Sequence, residues 1–399
     1  MVRQGRMAAG QGFGGRRPDA RSLDRETVQA RLAQAREQLL AGDLAAAERG
    51  YRGLLAGGVE SVELYGNLAV ICGRTQRQTE RLDWLERALA LQPDQPDLRF
   101  NYGNALMALE RWPEAAVAYE SVLAARPDHP EAGYNLGLVR QRQGDLRAAA
   151  AAYRRDLALS PERAGGHNNL GRALQDLGQL GAAIEAYQRA TDLEPTRLAY
   201  WNNLGLAQQE AGEANAAVES FRAAVALAPD HAISHRNLAL ALLDRGAFAE
   251  GWWEYEWRLQ SDPEILQAPV APRWRGDWAE QRELVLVAEQ GFGDSLQFIR
   301  YARRLKQRLP RVSFLAQPEL RELIAAAGLV DAVYGLEDLE GRPDVCWEPL
   351  LSVPQYLGVI RDQPGEVAPY LRVPEDRVHY WREQLRGEGP VSYTHFRAH

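Results

Sequence analysis

Six asparagines stand at a constant interval of 34 residues: Asn67, Asn101, Asn135, Asn169, Asn203 and Asn237. The chain has only ten asparagines, so composition does not place six of them on one ladder. A primary amide is both donor and acceptor, and it can pair with a peptide backbone whatever side chains that peptide carries. Two readings stay open: the ladder grips an extended peptide, or each amide bonds to a neighbouring helix and holds a stack together. A second candidate is the glycine pair Gly291 and Gly293, which follows an apolar run and invites a nucleotide reading. The dinucleotide fingerprint fails there, because position 296 is Leu, and no Walker lysine is present. His231 and His235 are four apart and could share a helix face for a metal, but no third ligand stands near. Both read as surface histidines, and no metal is expected.

A fixed period of this length means a stack of two-helix units. In residues 198–231 apolar positions recur at helical spacing in two blocks that break at Gly212, and the second stops before Pro229. The pattern returns in register. Small residues fall at Ala35, Ala69, Gly103, Gly137, Gly171, Gly205 and Ala239, and turn glycines at Gly42, Gly144, Gly178, Gly212 and Gly246. An aromatic plug follows at Tyr51, Tyr119, Tyr153, Tyr187, Phe221 and Tyr255, with Leu85 substituting once, and prolines close the units at Pro93, Pro127, Pro161, Pro195, Pro229 and Pro263. Seven units therefore begin near residues 28, 62, 96, 130, 164, 198 and 232. This pattern resembles the tetratricopeptide repeat. The resemblance implies a superhelix whose first helices line a concave surface, and a similarity to O-linked N-acetylglucosamine transferases implies that the asparagines hold an extended peptide there. The inner-face lysines of repeats that clamp C-terminal carboxylates are missing.

The bulk numbers bound the partners. A net charge of −7 and a pI near 5.7 argue against nucleic acid, which attracts a basic face. Cys72 and Cys346 have no metal or redox spacing and fit a reducing compartment. No run approaches 18 apolar residues, so no membrane span is expected, and the cytoplasm is the default. Residues 1–27, rich in Gly and Arg and without an apolar core, read as a disordered lead-in rather than a secretion signal.

Beyond the array the pattern changes. Trp252, Trp253, Trp257, Trp274 and Trp278 cluster within 27 residues, which reads as an interdomain seam or, alternatively, a sugar-stacking platform. Proline and charge mark 266–283 as a linker. From 284 onward, short apolar runs (LVLVAE, VSFLA, VDAVYG, DVCWEP) alternate with amphipathic segments (SLQFIRYARRLKQRL, PELRELIAAAG, LLSVPQYLG). That order predicts one α/β doubly wound, Rossmann-like domain at 284–386 with a parallel sheet. Asp294, with Gln297 three residues on, has the spacing of an N-cap and capping box.

Residues 272–276 (PRWRG), 284–301 (LVLVAEQGFGDSLQFIRY), 346–358 (CWEPLLSVPQYLG) and 367–374 (VAPYLRVP) resemble the N-terminal half of two-domain, GT-B glycosyltransferases of the heptosyltransferase-like branch. The resemblance implies that Asp294 is the base that deprotonates an acceptor hydroxyl, and that Glu289, Gln290, Gly291 and Gly293 line the acceptor cleft. It also implies a nucleotide-sugar donor for a complete enzyme, with no other cofactor. Only about 115 residues follow position 284, and 387–399 read as a non-native tail, so the chain is expected to be C-terminally truncated and inactive alone. The expected function is a protein- or peptide-binding repeat scaffold joined to the acceptor-side half of a glycosyltransferase; the alternative is a non-catalytic adaptor for protein–protein interaction.

Overall fold

A two-helix unit of 34 residues leaves one apolar face of each helix uncovered until another unit stacks on it, so the units stabilise one another. The computed structural model describes residues 24–262, 264–289, 291–359, 370–371 and 375–384. Residues 1–23 of the lead-in, Pro263, Gln290 and the expected tail 387–399 lie outside the described residues. The chain divides into two compact units, Met1–Leu193 and Glu194–His399.

The first unit holds five helix pairs: α1 (Arg25–Leu40) with α2 (Leu44–Ala56), α3 (Val62–Arg74) with α4 (Gln78–Leu91), α5 (Pro96–Ala108) with α6 (Trp112–Ala125), α7 (Ala132–Arg142) with α8 (Leu146–Leu159), and α9 (Ala164–Asp176) with α10 (Leu180–Leu193). The small and aromatic positions meet where each pair crosses. A Cβ placed on Gly103, Gly137 or Gly171 would come within 2.8, 2.4 and 2.8 Å of Tyr119, Tyr153 and Tyr187, closer than carbon atoms tolerate. Each ring is buried, and its hydroxyl donates to an amide on its partner helix: Tyr119 to Asn104 at 2.6 Å, Tyr153 to Gln141 at 3.1 Å and Tyr187 to Gln175 at 3.1 Å.

The turn between paired helices needs a positive φ, which Gly42, Gly144 and Gly178 adopt at 85, 78 and 72°. Two units lack that glycine. The turn keeps its shape nonetheless, with Gln76 and Glu110 at φ 59 and 56°, a conformation that costs a side chain about 1 kcal/mol. Helices α4, α6, α8 and α10 all stop two residues before their closing proline, as the ring's restriction on the preceding residue requires.

The second unit begins with two more pairs, α11 (Leu198–Glu210) with α12 (Ala214–Leu227) and α13 (Ala232–Asp244) with α14 (Phe248–Tyr255), followed by the short α15 (Arg258–Ser261). A Cβ on Gly205 would lie 2.6 Å from the Phe221 ring, so the crossing rule holds here too. Next come four parallel strands, β1 (Glu283–Val287), β2 (Val312–Leu315), β3 (Val333–Tyr334) and β4 (Val345–Pro349), in the order β3-β2-β1-β4. β1 pairs in parallel with β2 and β4, and β2 with β3. Alternate residues of β1 serve opposite faces: Leu284 and Leu286 pack with Ile299 and Leu305, Val285 and Val287 with Leu339 and Val345. A strand buried on both sides accounts for its uninterrupted apolar run.

Two local expectations are corrected. The helix after β1 starts earlier and is shorter than expected: α16 spans Phe292–Phe298, a 3₁₀ turn covers Ile299–Tyr301, and α17 ends at Leu305. Its N-cap is Gly291, with Asp294 inside the first turn, so Asp294 is not the capping residue. The stretch expected as a linker is docked on the sheet. Trp274 N donates to Trp347 O at 2.8 Å and Trp347 N to Pro272 O at 3.0 Å, and Arg273 bridges in parallel to Trp347 on β4.

Candidate functional site

The ladder asparagines all lie on the first helix of their pairs, and the side-chain amides of Asn67, Asn135 and Asn169 donate to the preceding repeat. In the first unit, Asn67 Nδ2 donates to the Tyr51 hydroxyl at 2.9 Å, Asn135 Nδ2 to Asn104 Oδ1 at 3.0 Å, and Asn169 Nδ2 to the Tyr134 hydroxyl at 3.0 Å. Each bond crosses from one repeat to the one before, which fixes the register between stacked pairs. Asn101 is half-buried. In the second unit Asn203 is half-buried and Asn237 buried. Among the described residues no donor reaches Oδ1 of Asn67 or Asn135.

Around the ladder the helix faces differ. A face of positions i, i+4 and i+7 reads Glu63–Asn67–Val70 on α3 and, from the N-cap residue Glu131 into α7, Glu131–Asn135–Leu138. On α11 and α13 it reads Ala199–Asn203–Leu206 and Ile233–Asn237–Leu240, with Leu206 and Leu240 each 41 % exposed and Ile233 47 %.

The histidines are corrected. His235 is buried, stacked on Trp257 with centroids 4.1 Å apart, and its ring nitrogens meet Glu254 Oε2 at 2.5 Å and Pro229 O at 2.7 Å. The position recurs: Arg99, His167 and Trp201 also reach the carbonyl of a closing proline six residues earlier. His231 caps α13 by accepting from Ser234 N at 3.3 Å.

Models of two families, described as TPR repeat and as tetratricopeptide repeat, match residues 103–144 and 171–212 and residues 202–256 respectively. The helix pairs within the matched residues are tetratricopeptide repeats. Such repeats form scaffolds for protein–protein interaction. Among solved structures, MamA 41-end from Desulfovibrio magneticus RS-1 is 27 % identical, with 43 % of this chain and 98 % of that one covered and a TM-score of 0.42. YrrB, titled a TPR protein with an unusual peptide-binding site, is 21 % identical, with 46 % and 95 % covered and a TM-score of 0.42. No curated protein matches the chain. Both family-model matches lie within residues 103–256.

Beyond α14, residues of 256–258, 272–276, 284–301 and 346–358 come together as a buried polar cluster, while most of 367–374 lies outside the described residues. Glu289, just past β1, is 3 % exposed, and both of its oxygens accept from Arg258 at 2.8 Å. Leu351 N donates to the same carboxylate at 3.2 Å. Glu348, on β4, is fully buried and takes Arg273 Nε at 3.1 Å and NH2 at 2.5 Å, with Arg275 N at 3.1 Å. Burial pushes its carboxyl above the ordinary range, against the pull of Arg273. Glu256 joins the two arginines, accepting from Arg258 at 3.0 Å and from Arg273 at 2.6 Å. Gly276 turns at φ 87° where a Cβ would meet the Tyr356 ring at 2.5 Å, which gives the PRWRG glycine a packing reason. Trp274 lies edge-on to Trp278 and Tyr356, both centroids at 5.1 Å, and Trp252 edge-on to Phe298 at 5.8 Å. Trp253, by contrast, is 64 % exposed.

The residues expected around an acceptor cleft are therefore spread between two settings. The Glu289 carboxylate accepts from Arg258 and the Leu351 amide. Asp294 is exposed, with its Oδ2 2.5 Å from where a Cβ on Gly291 would stand, while nothing crowds Gly293. Gln290 lies outside the described residues. A cleft of about 450 Å³ opens at the carboxyl ends of β1 and β2, lined by Leu266, Val287, Glu289, Leu315, Gln317 and Arg321 among others; Glu289 thus lines it and Asp294 does not. Among the described residues no group of three or more His, Cys, Asp or Glu could hold a metal, and no helix is long and apolar enough to cross a membrane.

Sequence reasoning missed Arg258, and a signal for it exists. Counting back by 34 gives Ala224, Ala190, Asp156, Val122, Ala88 and Leu54, all buried. An arginine at that position departs from the repeat and marks a place where the array meets something polar.

Proposed function

We propose that the chain is a protein-interaction scaffold whose first-helix faces hold an extended segment of a partner protein. The observation that carries this reading is the matched exposure of Leu206, Ile233 and Leu240 beside the amides of α11 and α13. Apolar side chains open to solvent at equivalent positions of successive helices suit the apolar side chains of a docked segment. Within the first unit by itself the ladder would add backbone contacts: the Oδ1 atoms of Asn67 and Asn135 would accept from a peptide N–H, while their Nδ2 atoms bond to the preceding repeat. The test is a peptide array read with the full chain. Leu206→Asp with Leu240→Asp should weaken the captured peptides at least about tenfold, some 1.4 kcal/mol, at an unchanged Tm. Equal affinity in that variant would remove the reading. For the ladder, Asn67→Ala with Asn135→Ala should lower both affinity and stability; a fall in stability alone makes the amides structural.

A second reading is favoured by the parallel strand order β3-β2-β1-β4, since open α/β sheets take ligands beyond the carboxyl ends of their strands and the helix that carries Asp294 follows β1. In it the sheet is a Rossmann-like, acceptor-side part of a nucleotide-sugar-dependent glycosyltransferase, with Asp294 as the base. Transfer of a labelled sugar by a homologue that has this activity, compared with its variant corresponding to Asp294→Asn, decides it; unchanged rates would rule Asp294 out.

A further inference from the structure

From β1 the sheet grows in two directions, through β2 to β3 on one side and to β4 on the other. Such a reversal parts the loops that leave the two strands and opens the crevice where parallel sheets bind ligands. In this protein a side chain of the chain itself stands there. Arg258, on α15, reaches the segments that follow β1 and β4. Its Nε and NH2 donate to the two oxygens of Glu289 at 2.8 Å, and NH2 donates to Ser352 Oγ at 2.9 Å. Its NH1 donates to Tyr255 O at 3.1 Å and Glu256 Oε1 at 3.0 Å. The Glu289 carboxylate also takes Leu351 N, so one ion pair laces the ends of β1 and β4 together. A guanidinium has five N–H donors in a fixed plane, and these five contacts use them all. The Tyr255 ring lies beneath the plane at 4.7 Å, and the side chain is 1 % exposed.

We infer that the crevice between β1 and β4 is a docking surface shaped for a guanidinium, and that the last tetratricopeptide repeat fills it with Arg258 as a built-in ligand. Three consequences follow. The repeat and the sheet form one cooperative element, because each supplies charges that are costly to bury without the other. A ligand from solution does not share the β1–β4 crevice with Arg258 and meets the sheet at the β1–β2 cleft. Glu289 serves the joint to the repeats. None of this depends on the partner-binding reading above.

The experiment is chemical rescue in the full chain. Arg258→Ala leaves a site with the outline of a guanidinium, and methylguanidinium at millimolar concentration, well below denaturing levels, is the probe. The expected result is a lowered Tm that the probe raises, saturable one-to-one binding by calorimetry, no response in wild type, and loss of rescue when Glu289→Gln is added. A folded Arg258→Ala chain that binds no methylguanidinium, or a wild type that responds equally, overturns the inference. Should Arg258→Ala fail to fold, Glu289→Gln alone is read by hydrogen exchange. Faster exchange in both 248–261 and 345–357 is expected; acceleration confined to one segment overturns the shared element.

Discussion

The first six repeats and the seventh solve one packing problem with different chemistry. In five of the former an aromatic ring, and in the second repeat Leu85, stands against a small residue, as at Gly137 and Tyr153 or Gly205 and Phe221, and the adjoining interior position is mostly aliphatic. That solution is non-directional and repeats without limit, because each unit presents its neighbour with the same surface. The seventh repeat packs on a sheet instead. At the equivalent interior position it carries Arg258, and its plug, Tyr255, is only half-buried. Buried ion pairs are poor sources of net stability, but their geometry is directional. The comparison teaches that this chain uses apolar contact where any copy will do and charge where one particular partner must be met.

The comparison can be broken hardest at its charged end. Arg273→Met strips Glu348 of its cation and leaves a buried carboxylate next to Glu256. We expect a loss of about 3–5 kcal/mol in thermal or urea unfolding, with the variant regaining part of it as the pH is lowered and Glu348 takes up a proton. A loss below that of an average surface substitution would show the cluster to be dispensable. At the apolar end, Gly137→Ala forces a methyl to within 2.4 Å of the Tyr153 ring and should cost about 1–3 kcal/mol. Adding Tyr153→Leu should recover part of the loss; strictly additive losses would mean that the crossing is not the cause.

A titratable group inside the array sharpens the contrast further. His129 is buried and its Nδ1 accepts from Ala132 N at 3.2 Å at the start of α7. Burial, and Arg126 beside it, hold the imidazole below its ordinary pKa, against Asp97. A depressed value in the folded state means that the unfolded chain takes up the proton first as the pH falls. The contribution of His129 is thus whole above about pH 6.5 and is lost as the pH drops through the folded value. Tm should fall between pH 7 and 5, and less steeply in His129→Asn, which keeps a capping acceptor; parallel profiles would contradict this. The smallest effect belongs to the turns. Glu110→Gly relieves a positive φ at an exposed site and should add about 0.5 kcal/mol, whereas Gly144→Glu should remove a similar amount.

The repeat itself was legible because it is local. Glycine, aromatic and proline fall at fixed intervals, and the helix ends follow from the prolines within two residues. The missing turn glycines at Gln76 and Glu110 did not mislead, since the flanking helices impose the turn. The strands were legible for a similar reason, as an apolar run such as Leu284–Val287 has both faces to bury. The capping role expected of Asp294 failed because the loop enters the helix three residues sooner, at Gly291, where no side chain is needed. His235 was misread as a surface residue: spacing places it on a helix but does not say that Trp257 and Glu254 will close over it.

The sequence alone determined the number of helix pairs, their crossing rule and the places of the strands along the chain, since each is written in residues close together. Only the tertiary structure decided what the polar residues do. Ser352 lies 94 residues from Arg258 and Glu348 lies 75 from Arg273, and no periodicity connects such positions. A charge's role depends on which charges fold against it and how much water is left between them. The same holds for the asparagine ladder: its spacing was plain in the sequence, while the Tyr51, Asn104 and Tyr134 oxygens that its amides meet came from the stacking of one repeat on the next.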